Sequence, residues 1–212
     1  MNLSPTRLNA LLNKVGQDVA WRAGYDCPCR NPRSGAADPG CANCHGLGVT
    51  WRVDATAART ALAAQKIQRQ WADFGLWQNG DVVLSIPSDS PLYDIGEFDR
   101  VVFSQSSEPF SHTRIHDGTD RLAFPVVTVS RVFWLANDAI VEGGIPDVDA
   151  ADGVLTWAGG EPPPGMQYSI TGRRRPEYFC FGDFPQDRAH QGGARLPRRV
   201  VLRKFDLFGR SG

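Results

Sequence analysis

Residues 81–104 read DVVLSIPSDSPLYDIGEFDRVVFS and contain two short strand-forming runs, DVVLSI and DRVVFS. Both runs are rich in Val, Ile and Phe, which favour strands, and the Pro87-Ser88-Asp89 cluster between them favours a turn. Similar runs follow: VVTVSRVFWL at 126–135, GVLTW at 153–157, QYSIT at 167–171, EYFCF at 177–181 and RRVVLRKF at 198–205. Short strands with no helical pattern between them predict an antiparallel barrel or sandwich.

Upstream of these strands the sequence predicts helices. Ser4 is a suitable N-cap and Pro5 fits the first helical turn. Apolar residues recur at helical spacing over residues 5–20, which predicts an amphipathic helix packed on the body or on a neighbour: Leu8, Leu11, Leu12, Val15 and Val19. Residues 54–74 are also predicted as a helix, because ATAARTALAAQKIQRQWADF has high helix propensity. A strand pair through QKIQRQW is the alternative.

These patterns predict an α+β chain that is mainly β. We expect an N-terminal helical segment over residues 1–74, with a cysteine-rich loop, and a β-barrel or sandwich domain over 75–212. The tail RRVVLRKFDLFGRSG, residues 198–212, alternates apolar and basic residues and predicts an edge strand or a C-terminal arm on a neighbouring subunit.

The charge of the chain is balanced overall, with 23 basic and 23 acidic side chains among 212 residues. A neutral chain is poorly suited to coating nucleic acid, which requires excess cations. The sequence lacks the run of about 18 apolar residues that a membrane-spanning helix needs, and its first residues lack a secretory apolar core. The balance is +4 over residues 1–80, −10 over 81–161 and +6 over 162–212. This zoning fits either solvated faces or complementary surfaces within an assembly.

Residues 24–48, GYDCPCRNPRSGAADPGCANCHGLG, form a segment rich in Gly, Pro and Cys, hereafter the cysteine segment. It has too few apolar residues to bury a core. Cys27 and Cys29 form one close pair, and Cys41 and Cys44 form a second one after eleven residues. Two close pairs across a short loop are typical of a tetrahedral zinc site, because thiolates are soft ligands that bind Zn²⁺ firmly. The sequence predicts one structural zinc ion held by these four cysteines.

The second half of the segment, Cys41-Ala-Asn-Cys44-His45-Gly46-Leu47-Gly48, resembles the zinc-binding repeat of DnaJ-class co-chaperones. The resemblance covers eight residues, occurs once, and implies a zinc knuckle rather than a chaperone. The first pair, Cys-Pro-Cys, departs from the usual Cys-x-x-Cys spacing, so His45 could replace Cys27 or Cys29 as a ligand.

Three other interpretations of the cysteines stay open. Disulfides require an oxidising compartment, which a chain without a visible signal sequence does not suggest. A redox dithiol requires a thioredoxin-like context that the pattern does not show, and Cys-x-x-Cys-His is also the attachment motif of c-type haem. Cys180, inside the aromatic strand run, is interpreted as a small buried hydrophobic residue.

The other chemically active side chains do not form a catalytic pattern. His112 and His116 are four residues apart, but their surroundings favour a hairpin or loop, and His190 lies in a polar loop. Arg173–Arg175 and Arg198–Arg199 could contact phosphate, or could form a rim that pairs with acidic neighbours. Phosphate-binding loops, nucleophile elbows and His-Glu-x-x-His motifs are not found. We therefore expect no enzymatic activity.

Three longer stretches carry a further resemblance: residues 71–103, 143–181 and 185–208. Their shared features are a Gly-Asp strand start, Leu-Thr-Trp, Pro-x-Gly-x-x-Tyr-Ser-Ile, Pro-x-Tyr and a closing Leu-Pro-Arg-Arg-Val-Val. This pattern resembles small structural proteins of tailed bacteriophages, with the neck or head-to-tail connector proteins as the nearest class. It covers about half of the chain.

The resemblance implies a virion protein, assembled in the bacterial host cytoplasm, that forms rings with copies of itself. It implies portal, connector or tail proteins as further partners, no membrane, and at most passing contact with DNA in a channel. A tail or baseplate component is the alternative within virions. A zinc-ribbon module that binds nucleic acid is the alternative from another class, which the zero net charge disfavours.

Overall fold

A computed structural model describes residues 4–184, 190–191 and 193–208. The first elements are α1 (Pro5–Val15), β1 (Gln17–Arg22), β2 (Gly24–Asp26), β3 (Val49–Trp51), β4 (Thr56–Leu62), α2 (Gln65–Asp73), β5 (Val82–Ile86) and β6 (Arg100–Phe103). There follow β7 (Glu108–Ile115), β8 (Val126–Ala136), β9 (Ala139–Glu142), β10 (Asp147–Val148), β11 (Leu155–Thr156) and β12 (Gln167–Arg174). The last strands are β13 (Glu177–Asp183), β14 (His190–Gln191), β15 (Ala194–Arg195) and β16 (Arg198–Lys204).

The chain divides into two compact units. The barrel unit consists of the residues up to Gln105 and those from Glu177 onward, and the sheet unit is Ser106–Pro176. The prediction of a mainly β fold with an N-terminal helix and an antiparallel barrel is confirmed.

The barrel closes in the order β1-β4-β5-β16-β13-β6, with every neighbouring pair antiparallel. Val19 of β1 pairs with Ala58 on one side and with Phe103 of β6 on the other, which closes the ring of strands. Alternate residues of each strand face inward, so the interior is filled by apolar side chains. This core contains Val19, Ala58, Leu84, Ile86, Leu92, Ile95, Val101, Phe103, Tyr178, Cys180, Val200 and Leu202.

Helix α2 covers part of the outer surface of the barrel. Its Trp71 is buried against Val83 of β5, Val201 of β16 and Phe184. The indole Nε1 of Trp71 donates to Asp81 at 3.1 Å, and Arg203 donates to both carboxylate oxygens of Asp81 at 3.0 Å. Strands β5 and β16 are therefore buried on both faces, which explains their nearly continuous Val and Leu runs.

The sheet unit is built on an antiparallel sheet in the order β7-β12-β8-β9, accompanied by the small pair β10-β11. Tyr168 and Ile170 of β12 and Val132 of β8 lie on its buried face. Phe110, Leu122 and Leu155 complete this second core.

The predicted helix over residues 5–20 is wrong in its second half. Helix α1 ends at Val15, and residues 17–22 form barrel strand β1. A Cβ on Gly16 would lie 2.7 Å from the carbonyl oxygen of Leu12 and 3.0 Å from that of Thr60, so the glycine permits a close passage from helix to strand. Val19 consequently lies in the barrel core, while Leu11 and Val15 stay exposed.

The predicted helix over residues 54–74 is correct only for α2. Residues 56–62 form strand β4, whose Ala58, Thr60 and Ala61 are buried between β1 and β5. The barrel thus takes β1 and β4 from the segment 1–74. Residue 74 is therefore not the boundary between the two units, which lies instead before Ser106 and after Pro176.

Up to Phe208, the tail is neither an edge strand nor an arm. Strand β16 pairs with both β5 and β13 inside the closed barrel. After it, Phe205 and Phe208 turn back and contact Trp51 of the same chain, with ring centroids 5.3 and 5.5 Å apart. The expectation of an arm is wrong for residues 198–208, and residues 209–212 lie outside the described part of the chain.

Candidate metal centre

The four clustered cysteines lie between the strands of a short antiparallel hairpin. β2 pairs with β3, with Gly24 opposite Trp51 and Asp26 opposite Val49, so the two ends of the cysteine segment are held together. The ladder continues beyond Asp26, because the backbone N–H of Cys27 donates to the carbonyl of Gly48 at 2.8 Å. The first thiol of the site is thereby fixed to the end of the hairpin.

Each cysteine pair lies on a tight turn. In the first pair, the N–H of Arg30 donates to the carbonyl of Cys27 at 3.0 Å. In the second pair, the N–H of His45 donates to the carbonyl of Cys41 at 2.8 Å, and that of Leu47 donates to Cys44 at 3.0 Å. These turns direct the two side chains of each pair toward a common point.

Glycine is required where the second turn leaves the site. Gly46 and Gly48 have φ values of 82° and 72°, in the left-handed region that favours glycine. A Cβ on Gly48 would also lie 3.1 Å from the Cβ of Ala37. The left-handed backbone after Cys44 therefore explains why glycine stands at both positions of the Cys-x-Gly-x-Gly spacing.

The four sulfur atoms form one compact group. All of the Sγ atoms of Cys27, Cys29, Cys41 and Cys44 lie within 4.8 Å of one another. The Cys27–Cys41 separation is 3.8 Å and the Cys29–Cys44 separation is 3.4 Å. A zinc ion with four thiolates at about 2.3 Å requires sulfur–sulfur separations of about 3.8 Å, so the arrangement fits a tetrahedral metal. These four cysteines could bind a metal ion such as zinc.

The site is shielded on one side and accessible on the other. Cys27 and Cys44 are each 2% exposed, whereas Cys29 and Cys41 are half-buried. The backbone N–H groups of Cys44 and Asn43 lower the pKa of Cys41 to about 7. The amide of Asp38 favours the Cys29 thiolate, but burial and the neighbouring thiols outweigh it and raise the pKa of Cys29 to about 12. Metal binding at neutral pH must therefore displace thiol protons.

Disulfide bonds and a histidine ligand fit this geometry less well than four thiol ligands. The two sulfur separations far exceed the roughly 2.05 Å of a disulfide bond, and all five cysteines are free thiols. His45 is exposed and does not belong to the group of converging ligand atoms. In the described part of the chain, this is the one group of three or more His, Cys, Asp or Glu side chains positioned to hold a metal.

The hairpin is anchored to the barrel by a buried carboxylate. Asp99 accepts hydrogen bonds from the indole Nε1 of Trp21 at 2.8 Å, from the N–H of Gly24 at 2.7 Å and from the N–H of Gly96 at 2.9 Å. The indole of Trp51 donates to the carbonyl of Phe98 at 2.9 Å. No sequence pattern distinguishes Asp99, because a single aspartate at the start of a strand does not indicate which residues it will contact.

Most of the remaining candidate residues have a structural explanation. Cys180 is 1% exposed in the barrel core, and burial raises its pKa to about 12, which confirms its interpretation as a buried hydrophobic residue. His116 is buried and its Nδ1 lies 2.5 Å from a carboxylate oxygen of Asp120. Arg174 pairs with Glu108 and Arg198 with Asp183, as expected for a rim of arginines beside acidic neighbours. His190 lies in β14, and nothing assigns it a role.

The chain matches no model of a known protein family, and no curated protein sequence shows significant similarity to it. Among the described residues, no helix has the length and apolarity needed to cross a membrane.

Proposed function

We propose that this protein is a structural subunit of a tailed-bacteriophage particle, a ring-forming neck or head-to-tail connector, and that a zinc ion orders its cysteine segment. Its partners are copies of itself and neighbouring portal, connector or tail proteins. It acts in the virion after assembly in the bacterial cytoplasm.

The convergence of four thiols supports the zinc part of the proposal. Cys27, Cys29, Cys41 and Cys44 supply four ligands, which complete a tetrahedral coordination shell. A shell filled by protein ligands has no position for water or substrate, so the ion acts by holding the two turns together. Such a site stabilises a fold and does not catalyse a reaction.

One observation carries the assembly part of the proposal. Ile115, Leu135 and Ile140 lie on one face of the four-stranded sheet and are 62%, 63% and 59% exposed. Leu11 and Val15 on helix α1 are exposed as well. Large apolar side chains grouped on a surface favour a protein interface, because their burial against a partner is favourable.

The charge zoning supports assembly less strongly than the sequence implied. Arg203 from the basic tail pairs with Asp81 from the acidic middle region, and Arg174 pairs with Glu108 in the same way. Part of the opposite charge is therefore neutralised within the chain. The exposed apolar face is therefore the stronger support for assembly.

Mass spectrometry of purified particles tests the proposal. Particles are prepared from the phage or prophage that carries the coding sequence, and the chain is quantified against the portal protein. Presence at a ring-like copy number supports the proposal. A chain found in the lysate but not in particles contradicts it, and so does a coding sequence outside any phage or prophage.

A further inference from the structure

The sheet of the sheet unit has two edge strands with opposite directions. Its order is β7-β12-β8-β9 and each neighbouring pair is antiparallel, so β7 and β9 run antiparallel to each other. Within the described residues, β7 pairs only with β12 and β9 only with β8. An unpaired edge presents backbone donors and acceptors that another strand can use.

Hydrogen bonds at the ends of the edge strands show which backbone groups point outward. The N–H of His116 donates to Met166 at the end of β12, and the N–H of Gly143 donates to Val132 of β8. Because the inward and outward positions alternate along an antiparallel strand, Ser111, Thr113 and Ile115 of β7 present their N–H and C=O groups outward.

The same alternation applies to the opposite edge. The outward positions of β9 are Ile140 and Glu142, three and one residues before Gly143. The next outward position, Gly144, is already occupied, because its N–H donates to the carbonyl of Gly160 at 2.7 Å. Pro109 occupies an outward position of β7, where its missing N–H does not weaken the pairing with β12.

The two edges also match in their side chains. Ile115 pairs with Gln167, and Ile140 pairs with Leu135, which lies beside Gln167 when the β8–β12 register is extended by one residue. Ile115 and Ile140 therefore end the same row of the sheet, on the same exposed face. In the next row, Thr113 and Glu142 occupy the two ends.

We propose that β9 of one copy adds to β7 of the next copy as an antiparallel strand, with Ile115 opposite Ile140 and Thr113 opposite Glu142. This inference deepens the proposed ring and rests on it. Both pairs join outward-facing backbone groups, and the register continues the existing rows without a shift. The exposed isoleucines then cover each other across the interface.

The direction of the edges favours a ring over a two-fold dimer. Rotation about an axis roughly along the strands preserves strand direction, so β9 of one copy meets β7 of the next in the antiparallel sense, and this heterologous contact can repeat until the ring closes. A two-fold pairing of β7 with itself, centred on Thr113, would place Ile115 opposite Ser111 and leave Ile140 uncovered. The matched edges therefore select a second copy of this chain as the occupant.

Mixed disulfide trapping tests the interface. Ile115→Cys and Ile140→Cys are prepared as separate zinc-containing variants, mixed in equal amounts, oxidised mildly and analysed without reducing agent. Each variant carries one of the two introduced cysteines, so a disulfide between positions 115 and 140 joins two subunits. Such a bond requires Cα atoms within about 7 Å, a distance that the proposed antiparallel pairing provides. We expect a disulfide-linked dimer in the mixture and no dimer with either variant alone.

The matched control replaces Ile115→Cys with Ser169→Cys, which lies on the same face but on the central strand β12. It should give no dimer with Ile140→Cys, and the unmodified chain shows any background from native cysteines. A dimer from either single variant indicates a two-fold contact and overturns the inference. Since oxidation traps transient contacts, absence of the mixed dimer overturns it too. If the chain is nevertheless present in particles at ring-like copy number, only this interface is wrong and the proposed function stands.

Discussion

The barrel and the cysteine segment of the same unit are held together by different forces. The barrel interior is filled by apolar side chains such as Leu84, Ile86 and Leu202, each 0% exposed. In the cysteine segment, the buried side chains are those of Cys27 and Cys44. Apolar burial can stabilise the first region, whereas the second depends on backbone hydrogen bonds and on its thiol cluster. Substitutions should therefore affect the stability of the two regions differently.

The largest effect is expected from removing the second pair of ligands. In the Cys41→Ser/Cys44→Ser variant, the segment should no longer bind the proposed zinc ion; the apparent binding free energy of zinc in small structural sites is on the order of 10 kcal/mol. Elemental analysis should then find no stoichiometric zinc. Hydrogen exchange should speed up over residues 24–48 and remain slow in β5 and β16, because the barrel core is made by other residues.

Cys180→Ala is the matched control for this variant. It also removes thiol sulfur, but from the barrel core, and should retain one zinc ion per chain. Retained zinc in the double variant would contradict the ligand assignment. If the barrel strands exchanged as fast as the segment, the two regions would form one cooperative unit.

The second effect concerns one ion pair from each region, Arg203–Asp81 in the barrel and Arg30–Asp26 in the cysteine segment. Asp81 is buried and accepts two hydrogen bonds from Arg203, so Asp81→Asn leaves a poorly compensated guanidinium. Breaking such a buried pair typically costs about 3–5 kcal/mol. Asp26 pairs with Arg30 in the exposed part of the hairpin, and Asp26→Asn should change the stability little, because water screens the exposed pair.

Chemical denaturation of both variants measures the difference. The Asp81→Asn midpoint should fall clearly with an unchanged slope, while the Asp26→Asn midpoint should stay close to that of the unmodified chain. Equal shifts would mean that the hairpin pair contributes as much as the buried one, contrary to its exposure.

The sequence predicted those features that depend on residues close to one another along the chain. The runs from residue 81 onward became strands because β-branched and aromatic residues recur between turn clusters, and the Cys pairs converge because each lies on its own turn. The thiol group was found from its spacing alone. The anchoring of the hairpin by Asp99 was not, because it joins residues about 75 positions apart.

The errors lie where strand pairing overrides local preference. Residues 56–62 are rich in alanine and have helical propensity, yet β4 bonds with β1 and β5 and completes the barrel. Val15 and Val19 fit helical spacing equally well, but Gly16 separates them into a helix and a strand. The tail has the alternation of an edge strand, whereas its position between β5 and β13 depends on closure of the barrel. Such long-range pairing leaves no local pattern.

A third test replaces one leucine by alanine in each region. Leu84→Ala empties space in the sealed barrel core and should destabilise the protein by about 2–5 kcal/mol. Leu47→Ala removes a side chain of the cysteine segment that is only half-buried, so its loss of stability should be much smaller. Thermal unfolding of both variants checks this order. A larger loss for Leu47→Ala would show that apolar packing contributes substantially to the segment.

The smallest effect is expected at His45, which the sequence left open as a replacement ligand. His45 is exposed, and its φ of 50° lies in the left-handed region. Position 45 therefore requires a residue that tolerates this backbone conformation, and it does not require an imidazole that binds metal. Asn tolerates that conformation well, and His45→Asn should therefore retain both the fold and one zinc ion per chain. Cys29→Ser is the comparison, because it removes a sulfur that lies 3.4 Å from that of Cys44. Zinc should bind more weakly to Cys29→Ser in a competition titration with a chelator, and with unchanged strength to His45→Asn. The reverse order would replace Cys29 by His45 in the ligand set, and the turn around Cys44 would then have to rotate to bring the imidazole inward.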